Sequence, residues 1–333
     1  MISLCGVISL YPLYEYNNKR QQHLGGFMST LVFGHKNPDT DSVCAAIALA
    51  DLKKKLGEDI APAMQGALNP ESTFVLEKFG VAAPKIVTAY AGKDVYLVDH
   101  SDLSQSADDL GEANILGIVD HHKLGDVTTG QPLECWIWPV GCTCTVIASM
   151  YKYFGIEIPK DIAGIMLCAI LSDTVIFKSA TCTDSDKKVC AELSKICGES
   201  DLDTLGIEMF KVKSAVEGTP IRELVFRDYK DFNMSGKGVG CGQLELVDLS
   251  IVDGIKADLE KDIVALKAEK GHHTVLLMLT DIMKEGTELL VATDDEAIIE
   301  KAFGVKPVDG KAWLPGIMSR KKQIIPFLEK ELG

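Results

Sequence analysis

Short apolar runs alternate with longer helical segments from residue 29 onward, a pattern that predicts a parallel sheet covered by helices. Continuous apolar runs predict buried strands at Thr30–Phe33, Val95–Val98 and Ile115–Val119, and a further strand is expected at Glu134–Trp138. An Ala-rich stretch from Ser42 predicts a buried helix that ends near Gly57. Asn69-Pro70 predicts a helix start with proline in the first turn, and Gly80 its end.

Three more helices are expected before the pattern changes: Cys144–Phe154, Ile162–Leu171 and a helix from Thr183-Asp184 toward Gly198. Residues 213–218 have the composition of a linker. Beyond them, strands are expected at Gly240–Leu246, Thr274–Leu279 and Glu288–Ala292, with a charged helix at about Ile255–Glu269. We therefore predict an α/β protein with an N-terminal parallel-sheet domain at 29–212 and a smaller α+β C-terminal domain at 219–333.

Residues 1–28 differ in character from the rest of the chain, and we interpret them as a dispensable extension. Met1–Leu13 is apolar, but Lys19 and Arg20 come after it, which is the wrong order for a secretory signal. The run is also too short to span a bilayer. No other stretch is a candidate for a membrane helix, so no membrane partner is expected.

Composition excludes some classes of function. The net charge is −14 and the pI is near 5.0, whereas proteins that bind a phosphate backbone carry basic surfaces. We therefore expect no nucleic-acid partner. The ten cysteines have no paired CxxC spacing, and several lie within apolar runs. Such cysteines indicate a reducing, cytoplasmic location better than a disulfide framework.

The candidate chemistry lies directly after three of the predicted strands. The first is followed by His35, Asp39 and Asp41, the second by Asp99-His100, and the third by Asp120-His121-His122. Because the carboxyl ends of parallel strands share one edge of a sheet, these side chains should meet there. The structural alternative is that Asp41 or Ser42 only caps a helix, which accounts for one residue of the set.

A further carboxylate, Asp173, ends an apolar helix, where a charge is costly unless something pairs with it. A metal ion would be one partner, and Lys178 is the structural alternative. Mixed imidazole and carboxylate ligands suit Mn²⁺ or Co²⁺ better than Mg²⁺, which prefers oxygen ligands and retained water.

Taken together, five motifs resemble those of the manganese-dependent family II inorganic pyrophosphatases of the DHH phosphoesterase superfamily. They are His35-Lys-Asn-Pro-Asp39-Thr-Asp41, Val98-Asp99-His100, Asp120-His121-His122, Ser172-Asp173 and Ser319-Arg320-Lys321-Lys322. The resemblance runs in order from Ser29 to Gly333. It implies a two-domain enzyme with its site in the cleft, which splits pyrophosphate into two phosphates. Ala180 replaces the proline usual in this family and touches no ligand.

The resemblance also implies roles for individual residues. One Mn²⁺ would be held by His35, Asp39 and Asp99, and a second by Asp41, Asp99, His121 and Asp173, with Co²⁺ able to substitute. His122, Lys230, Arg320 and Lys321 would hold pyrophosphate, which would enter with Mg²⁺. A hydroxide bridging the two metals would be the nucleophile. The leaving phosphate would take a proton from His122 or from a water on a metal. A homodimer is expected from the resemblance alone.

Two neighbouring residues and two rival functions stay open. Asp120 is expected to orient a ligand histidine without binding metal itself. His100 is either a structural partner of Asp99 or a group that supports the metal ligands from behind, and the second alternative is favoured. One rival function is another DHH phosphoesterase that acts on polyphosphate, oligonucleotides or cyclic dinucleotides. The other is a non-catalytic sensor of phosphate or metal. A sensor could dispense with Arg320 and Lys321, and the chain retains both.

Overall fold

The computed structural model describes residues 29–332, and the predicted extension at 1–28 therefore lies outside the described residues. The first half of the chain forms a six-stranded sheet with order β3-β2-β1-β4-β5-β6. Its strands are β1 (Thr30–Phe33), β2 (Ile60–Met64), β3 (Lys85–Ile86), β4 (Asp94–Val98), β5 (Asn114–Asp120) and β6 (Glu134–Ile137). All of the pairings are parallel, as the alternating pattern predicts.

Six helices accompany this sheet: α1 (Thr40–Lys55), α2 (Pro70–Phe79), α3 (Thr143–Phe154), α4 (Lys160–Asp173), α5 (Asp184–Cys197) and α6 (Leu202–Lys213). The central strands are buried on both faces, since Val32 packs into the main core with α1, α3 and α4 while the next residue, Phe33, packs into a second core. This burial explains why the strands are continuous apolar runs.

Local sequence sets the ends of several helices. Asn69 accepts a hydrogen bond from the Ser72 backbone N–H, Pro70 occupies the first turn of α2, and Gly80 ends it with a left-handed φ of 68°. Helix α5 begins with a capping box, in which Thr183 and Asp186 bond to each other's backbone N–H groups.

The second half forms a five-stranded sheet with order β11-β10-β9-β8-β7, in which only the β8–β9 pair is parallel. Its strands are β7 (Tyr229–Met234), β8 (Lys237–Leu246), β9 (Thr274–Asp281), β10 (Gly286–Thr293) and β11 (Lys311–Pro315). Its helices are α7 (Ile221–Phe226), α8 (Lys256–Lys270), α9 (Ala297–Phe303), a π-helical turn (Arg320–Ile324) and α10 (Ile325–Leu332).

Apolar clusters cover both faces of the second sheet, one with α7 and α8 and the other with α9 and α10. The predicted architecture, a parallel α/β region followed by a smaller α+β region, is therefore confirmed. In the described part of the chain, no helix combines the length and apolar character needed to cross a membrane.

Candidate metal centre

The sheet order places β1, β4 and β5 side by side, so the residues that follow them meet at one edge. His35 Nε2 lies 3.4 Å from an oxygen of Asp39 and 3.4 Å from Asp99 Oδ2. His121 Nε2 lies 3.5 Å from Asp99 Oδ1 and 3.9 Å from Asp173 Oδ2. The convergence expected from the strand ends is therefore observed.

Two groups of ligand atoms stand out, each with all its members within 4.8 Å of one another. The first is His35, Asp39 and Asp99, and the second is Asp41, His121 and Asp173. Asp99 lies against both, with Oδ2 toward His35 and Oδ1 toward His121. The 3.4–3.5 Å separations exceed ordinary hydrogen bonds, and they suit ligands that share an ion at bond lengths of about 2 Å. The donor set therefore fits two divalent ions.

The electrostatics of the cluster point to the same need for cations. Burial and the neighbouring Asp41, Asp39 and Asp99 raise the pKa of Asp173 well above its usual value. Burial and Asp99 raise the pKa of Asp41 to about 6. Several carboxylates thus crowd a water-poor site, where their mutual repulsion is strong without positive charge.

The pKa values of the two imidazoles are raised as well, which favours their positively charged forms. Burial acts to lower the pKa of His35, but the Asp39 and Asp99 carboxylates outweigh it and raise that pKa to about 10. Burial likewise opposes the effect of Asp99 and Asp41 on His121, whose pKa is raised to about 9. Without metal, protons on these rings supply part of the missing positive charge.

Asp99 has a backbone conformation that is uncommon for its residue type. Its φ is 61°, in the left-handed region, which costs on the order of 1–3 kcal/mol for a residue other than glycine. Its carboxylate accepts hydrogen bonds from Ser42 Oγ (2.7 Å) and Thr143 Oγ1 (3.3 Å). The surrounding hydroxyls thus hold a strained residue with its carboxylate between the two groups.

The two aspartates of the first motif are held by different helices. Asp39, and not Asp41 or Ser42 as in the structural alternative, caps α1 by accepting the Ser42 N–H at 2.9 Å. Asp41 instead accepts the backbone N–H groups of Thr143 (2.7 Å) and Cys144 (3.1 Å) at the start of α3, about 100 positions later. A helix N-terminus favours a carboxylate there.

Gly34 allows this close arrangement of the turn. A Cβ at position 34 would lie 2.5 Å from the Ser42 Cβ, closer than side-chain atoms can approach. Any larger residue would therefore push β1 away from the start of α1, and with it His35 away from Asp99.

The alternatives left open by the sequence are resolved by contacts. Lys178 binds the Ile282 carbonyl (3.1 Å) and Glu285 (3.3 Å), so it is not the partner of Asp173. His100 is held by the Val98 carbonyl (2.9 Å) and Ser106 Oγ (2.6 Å). The alternative in which His100 is a hydrogen-bond partner of Asp99 is therefore not observed, because both of its ring nitrogens bond elsewhere.

Asp120 orients a histidine, but a different one from that expected. One of its oxygens accepts the backbone N–H of His121 (2.7 Å) and of His122 (3.0 Å). The same oxygen lies 2.9 Å from the His122 ring Nδ1. The ligand candidate His121 instead places its own Nδ1 3.0 Å from the Val140 carbonyl, which leaves its Nε2 facing Asp99.

The cationic candidates lie in the second half of the chain. Arg320 is largely buried and donates from Nη1 to the backbone carbonyls of Asp228 (2.6 Å) and Cys241 (3.1 Å), and from Nη2 to the Asp228 carboxylate (2.6 Å). Lys230 lies on β7, near Asp228. Burial lowers the pKa of Lys321, and the first-half carboxylates Asp120, Asp99 and Asp173 oppose this effect. Lys321 is therefore within electrostatic reach of these carboxylates.

An apolar contact joins the two halves beside the cluster. Val175, Ile176 and Phe177 follow Asp173 with left-handed φ angles of 50°, 51° and 63°, an unusual run for bulky side chains. Val175 and Ile176 pack with Ile282 and Met318 of the second half. This packing stabilises the strained turn. It also keeps Asp173 close to the boundary between the halves.

Several residues that shape the site were not predicted from the sequence. Ser42 and Thr143 bond to Asp99, and Asp228 bonds to Arg320. Cys142 donates its thiol to Asp41 at 3.0 Å. Gly141-Cys142-Thr143 before an apolar helix was a usable signal for a helix start, whereas nothing near Asp228 signalled its contact with Arg320.

Comparison with known proteins agrees with this geometry. The model of the DHH family, N-terminal domain, matches residues 29–170, and that of the DHHA2 domain matches residues 207–331. A relative from Archaeoglobus fulgidus named "probable manganese-dependent inorganic pyrophosphatase" is 54% identical over 90% of this chain and 97% of its own length. A manganese-dependent inorganic pyrophosphatase from Methanocaldococcus jannaschii is 45% identical over 90% of this chain and 98% of its own length.

A solved structure agrees as well. A Methanococcus jannaschii crystal structure, assigned to family II inorganic pyrophosphatase, superposes with a TM-score of 0.80 at 44% identity. The match covers 91% of this chain and 99% of that one. The chain belongs to the DHH family and, within it, to the manganese-dependent family II inorganic pyrophosphatases.

Proposed function

We propose that this protein hydrolyses inorganic pyrophosphate to two phosphates with two manganese ions. The observation that carries the proposal is the pair of carboxylate–imidazole groups that share Asp99. The names of the relatives, which cover nearly the whole chain, support the same reaction.

The first ion would be held by His35, Asp39 and Asp99, and the second by Asp41, Asp99, His121 and Asp173. When bound, two divalent ions lower the pKa of the water between them, so that a bridging hydroxide is available as the nucleophile at neutral pH. The chain's own contribution is to fix these side chains before substrate arrives. Ser42 and Thr143 hold Asp99, and the start of α3 holds Asp41.

Pyrophosphate would lie between this cluster and the cations of the second half. Arg320, Lys321 and Lys230 would bind the phosphate oxygens, where charge grows during the transfer. The four carboxylates and two divalent ions nearly cancel, so the cluster alone cannot stabilise the charge on several phosphate oxygens. Both halves are therefore needed for the reaction.

His122 would contact substrate through Nε2, since Nδ1 is committed to Asp120. If the Nδ1–H group of His122 donates a hydrogen bond to Asp120, the ring can donate a second hydrogen bond to a phosphate oxygen only when Nε2 also carries a proton. Burial lowers the pKa of His122, and Asp120 counteracts that effect. Asp120 would thus favour the imidazolium form at the moment when an anionic substrate is bound. His122 or a metal-held water would supply the proton to the leaving phosphate.

Several finer features rest on the family resemblance. Co²⁺ would substitute for Mn²⁺, and Mg²⁺ would enter with the substrate. The protein would act as a cytoplasmic homodimer. The catalytic domain would span 29–212 and the substrate domain 219–333. Helix α6 ends at Lys213, and the match to the DHHA2 domain begins within this helix, at residue 207.

The direct test is phosphate release from pyrophosphate by chelator-stripped protein. We expect turnover after loading with Mn²⁺ or Co²⁺, with Mg²⁺ present for the substrate, and much weaker turnover with Mg²⁺ alone. Equal activity with Mg²⁺ alone would contradict the argument from the imidazole ligands.

A substrate panel separates this function from its rivals. Tripolyphosphate, a dinucleotide, a cyclic dinucleotide and a chromogenic phosphate ester are each assayed beside pyrophosphate with Mn²⁺. Preference for one of the other substrates would assign the chain to a different phosphoesterase activity. Tight Mn²⁺ and phosphate binding without turnover of any substrate would indicate a sensor.

A further inference from the structure

A buried polar network adjoins the metal centre through residues next to its candidate ligands. Glu71, at the start of α2, is 1% exposed, and its Oε2 accepts hydrogen bonds from Thr40 Oγ1 (2.7 Å) and Ser172 Oγ (2.8 Å). Thr40 stands between Asp39 and Asp41, and Ser172 directly precedes Asp173. One carboxylate therefore ties together the two segments that supply three of the candidate ligands.

Lys213 reaches this network from the end of α6. Its Nζ lies 3.7 Å from Glu71 Oε2 and donates to Ser172 Oγ at 3.3 Å. The same Nζ donates to Glu245 Oε2 at 2.6 Å, and Glu245 lies on β8 of the second half. A single ammonium group therefore bridges the two halves next to the metal centre.

The backbone at Lys213 is fixed to the second half. Arg227 donates to the carbonyls of Lys213 (2.7 Å) and Ala215 (2.9 Å). Ser214 Oγ donates to the Glu245 carbonyl (3.3 Å) and accepts the Val247 N–H (3.1 Å). Lys213 also ends α6, which packs into the first-half core through Leu205 and Met209. Its side chain therefore lies at the junction, where a rotation of the second half would change its contact with Glu245 relative to those with Glu71 and Ser172.

Loss of the Lys213 ammonium group would leave the carboxylates of Glu71 and Glu245 without their cation. Glu71 Oε1 is buried and has no hydrogen-bond partner among residues 29–332, so its carboxylate depends on donors at the other oxygen. Lys213 is the cation within salt-bridge distance of both Glu71 and Glu245. It also lowers the pKa of Asp173, which burial and other carboxylates raise.

From this arrangement we propose that Lys213 is a positioning residue that couples metal binding to substrate binding. The inference rests on the proposed function. Substrate bound to the second half would set the position of Lys213. Through Glu71, Lys213 would in turn set the positions of Thr40 and Ser172, which flank the metal ligands in the sequence. Metal and substrate would then strengthen each other's binding beyond their direct contact, and by linkage the effect is reciprocal.

The test compares Lys213→Met with Lys256→Met as a matched control. Lys256 forms a 2.7 Å ion pair with Glu288, at 19% and 21% side-chain exposure, against 26% and 18% for Lys213 and Glu245. The control pair lies between α8 and β10, within the second half. Both variants lose a half-buried ion pair, but only one loses the bridge to the metal centre.

The Mn²⁺ dissociation constant is measured with and without methylenediphosphonate, a pyrophosphate analogue that cannot be hydrolysed, and the ratio of the two is the coupling factor. We expect Lys213→Met to reduce this factor at least about threefold, where coupled sites commonly show ~5–150-fold effects. The control should keep the wild-type factor even if its melting temperature falls. A Lys213→Met protein with lowered stability and the wild-type factor would overturn the proposal, because Lys213 would then be merely structural.

Glu245→Gln covers the case in which Lys213→Met does not fold. It keeps Lys213 and removes only the charge that anchors it to β8, so the coupling factor should fall in the same direction by a smaller amount. An unchanged factor in that variant overturns the proposal as well. Because this assay needs no turnover, failure of the wild type to hydrolyse pyrophosphate would defeat the proposed function separately.

Discussion

The two sides of the site differ in how their charges are held. On the first side, carboxylates and imidazoles from three strand ends and helix α4 contact one another, and backbone N–H groups or hydroxyls orient the aspartates. On the second side, burial and the neighbouring Lys230 act to lower the pKa of Lys321, and Arg320 is anchored by Asp228.

Neither side is therefore electrostatically balanced by its own residues. The first side carries excess negative charge, and the second carries cations without enough local anions. Two metal ions would complete the first side, and phosphate groups would complete the second. Metal affinity should therefore depend on the first side and transition-state stabilisation on the second, which is a division that mutations can test.

The largest effect is expected for Asp99→Ala. Because Asp99 contacts both groups, its loss should weaken Mn²⁺ binding by more than about 100-fold and abolish turnover with it. Metal content by elemental analysis and steady-state kinetics check this result. Asp94→Ala, at the opposite end of β4, is the control and should keep both metals. If Asp99→Ala retained both metals, Asp99 would not be a ligand shared by the two ions.

Arg320→Ala should separate the two sides. The variant is expected to keep its metals and lose ~2–4 kcal/mol of transition-state stabilisation, with kcat falling and not only KM rising. Kinetics beside elemental analysis measure both quantities. Arg222→Ala removes an arginine paired with Asp262 and Glu269 elsewhere in the second half, and it should leave kcat unchanged. Loss of metal from Arg320→Ala, or full turnover, would disprove the assignment.

Proton release should identify the first side by another route. With folded-state pKa values of about 10 and 9, His35 and His121 are protonated at pH 7 in the metal-free protein. Mn²⁺ binding must then release about two protons from these rings, and Asp173, whose pKa is also raised, can release another. Affinity should therefore rise with pH by up to about tenfold per proton per unit. Calorimetry in buffers of different ionisation enthalpy counts the protons, and a count of zero would contradict the role of these rings.

The same two pKa values give the direction of a stability effect. Both are raised above the unfolded-state value, so the stabilisation of metal-free protein is complete below about pH 6.5. It should disappear as pH rises through 9 and 10. Thermal melts of metal-free protein across this range should therefore show a falling melting temperature, which Mn²⁺ loading should largely remove.

A smaller effect is expected for Asp228→Asn. The change removes the charge beside Arg320 but keeps the backbone carbonyl that also accepts from Nη1. We expect kcat/KM to fall by a factor that corresponds to a loss of ~1–2 kcal/mol of transition-state stabilisation, which is less than for Arg320→Ala. The metals should be retained. If both substitutions are combined, the loss should not exceed that of Arg320→Ala alone, since Asp228 would act only through Arg320. Additive losses would indicate an independent role for Asp228.

The smallest effect should come from deleting residues 1–27, so that the chain begins at Met28. The family match begins at residue 29, and the composition changes at the same point. The free energy of unfolding should change by less than about 0.5 kcal/mol and turnover should be unaltered. A large fall in melting temperature would show that the extension packs on the first side.

Much of the fold was predictable where local pattern and final burial agree. The predicted strand Thr30–Phe33 has the observed bounds, and the helix predicted from Asn69 to Gly80 is α2. Four strands were not predicted: β2, β3, β7 and β11. The β2 sequence Ile-Ala-Pro-Ala-Met contains a proline and lacks alternation, and β3 has only two residues. Such strands depend on pairing with their neighbours for their conformation.

The amino-acid sequence by itself determined the identity and order of the chemical groups. An Asp or His follows each of three apolar runs, and in a parallel sheet that order requires them to share an edge. The helix ends at Asn69 and Thr183 likewise result from side chains that reach only three residues along the chain.

The tertiary structure alone decided which partner each group has. Asp41 is held by Thr143 of α3, which lies 102 positions along the chain, and Arg320 is held by Asp228, 92 positions away. Lys213 joins Glu71 to Glu245 across the boundary of the two halves. Hydrogen bonds and ion pairs act over a few ångströms of space regardless of separation in sequence, so such partners emerge only when packing brings distant segments together.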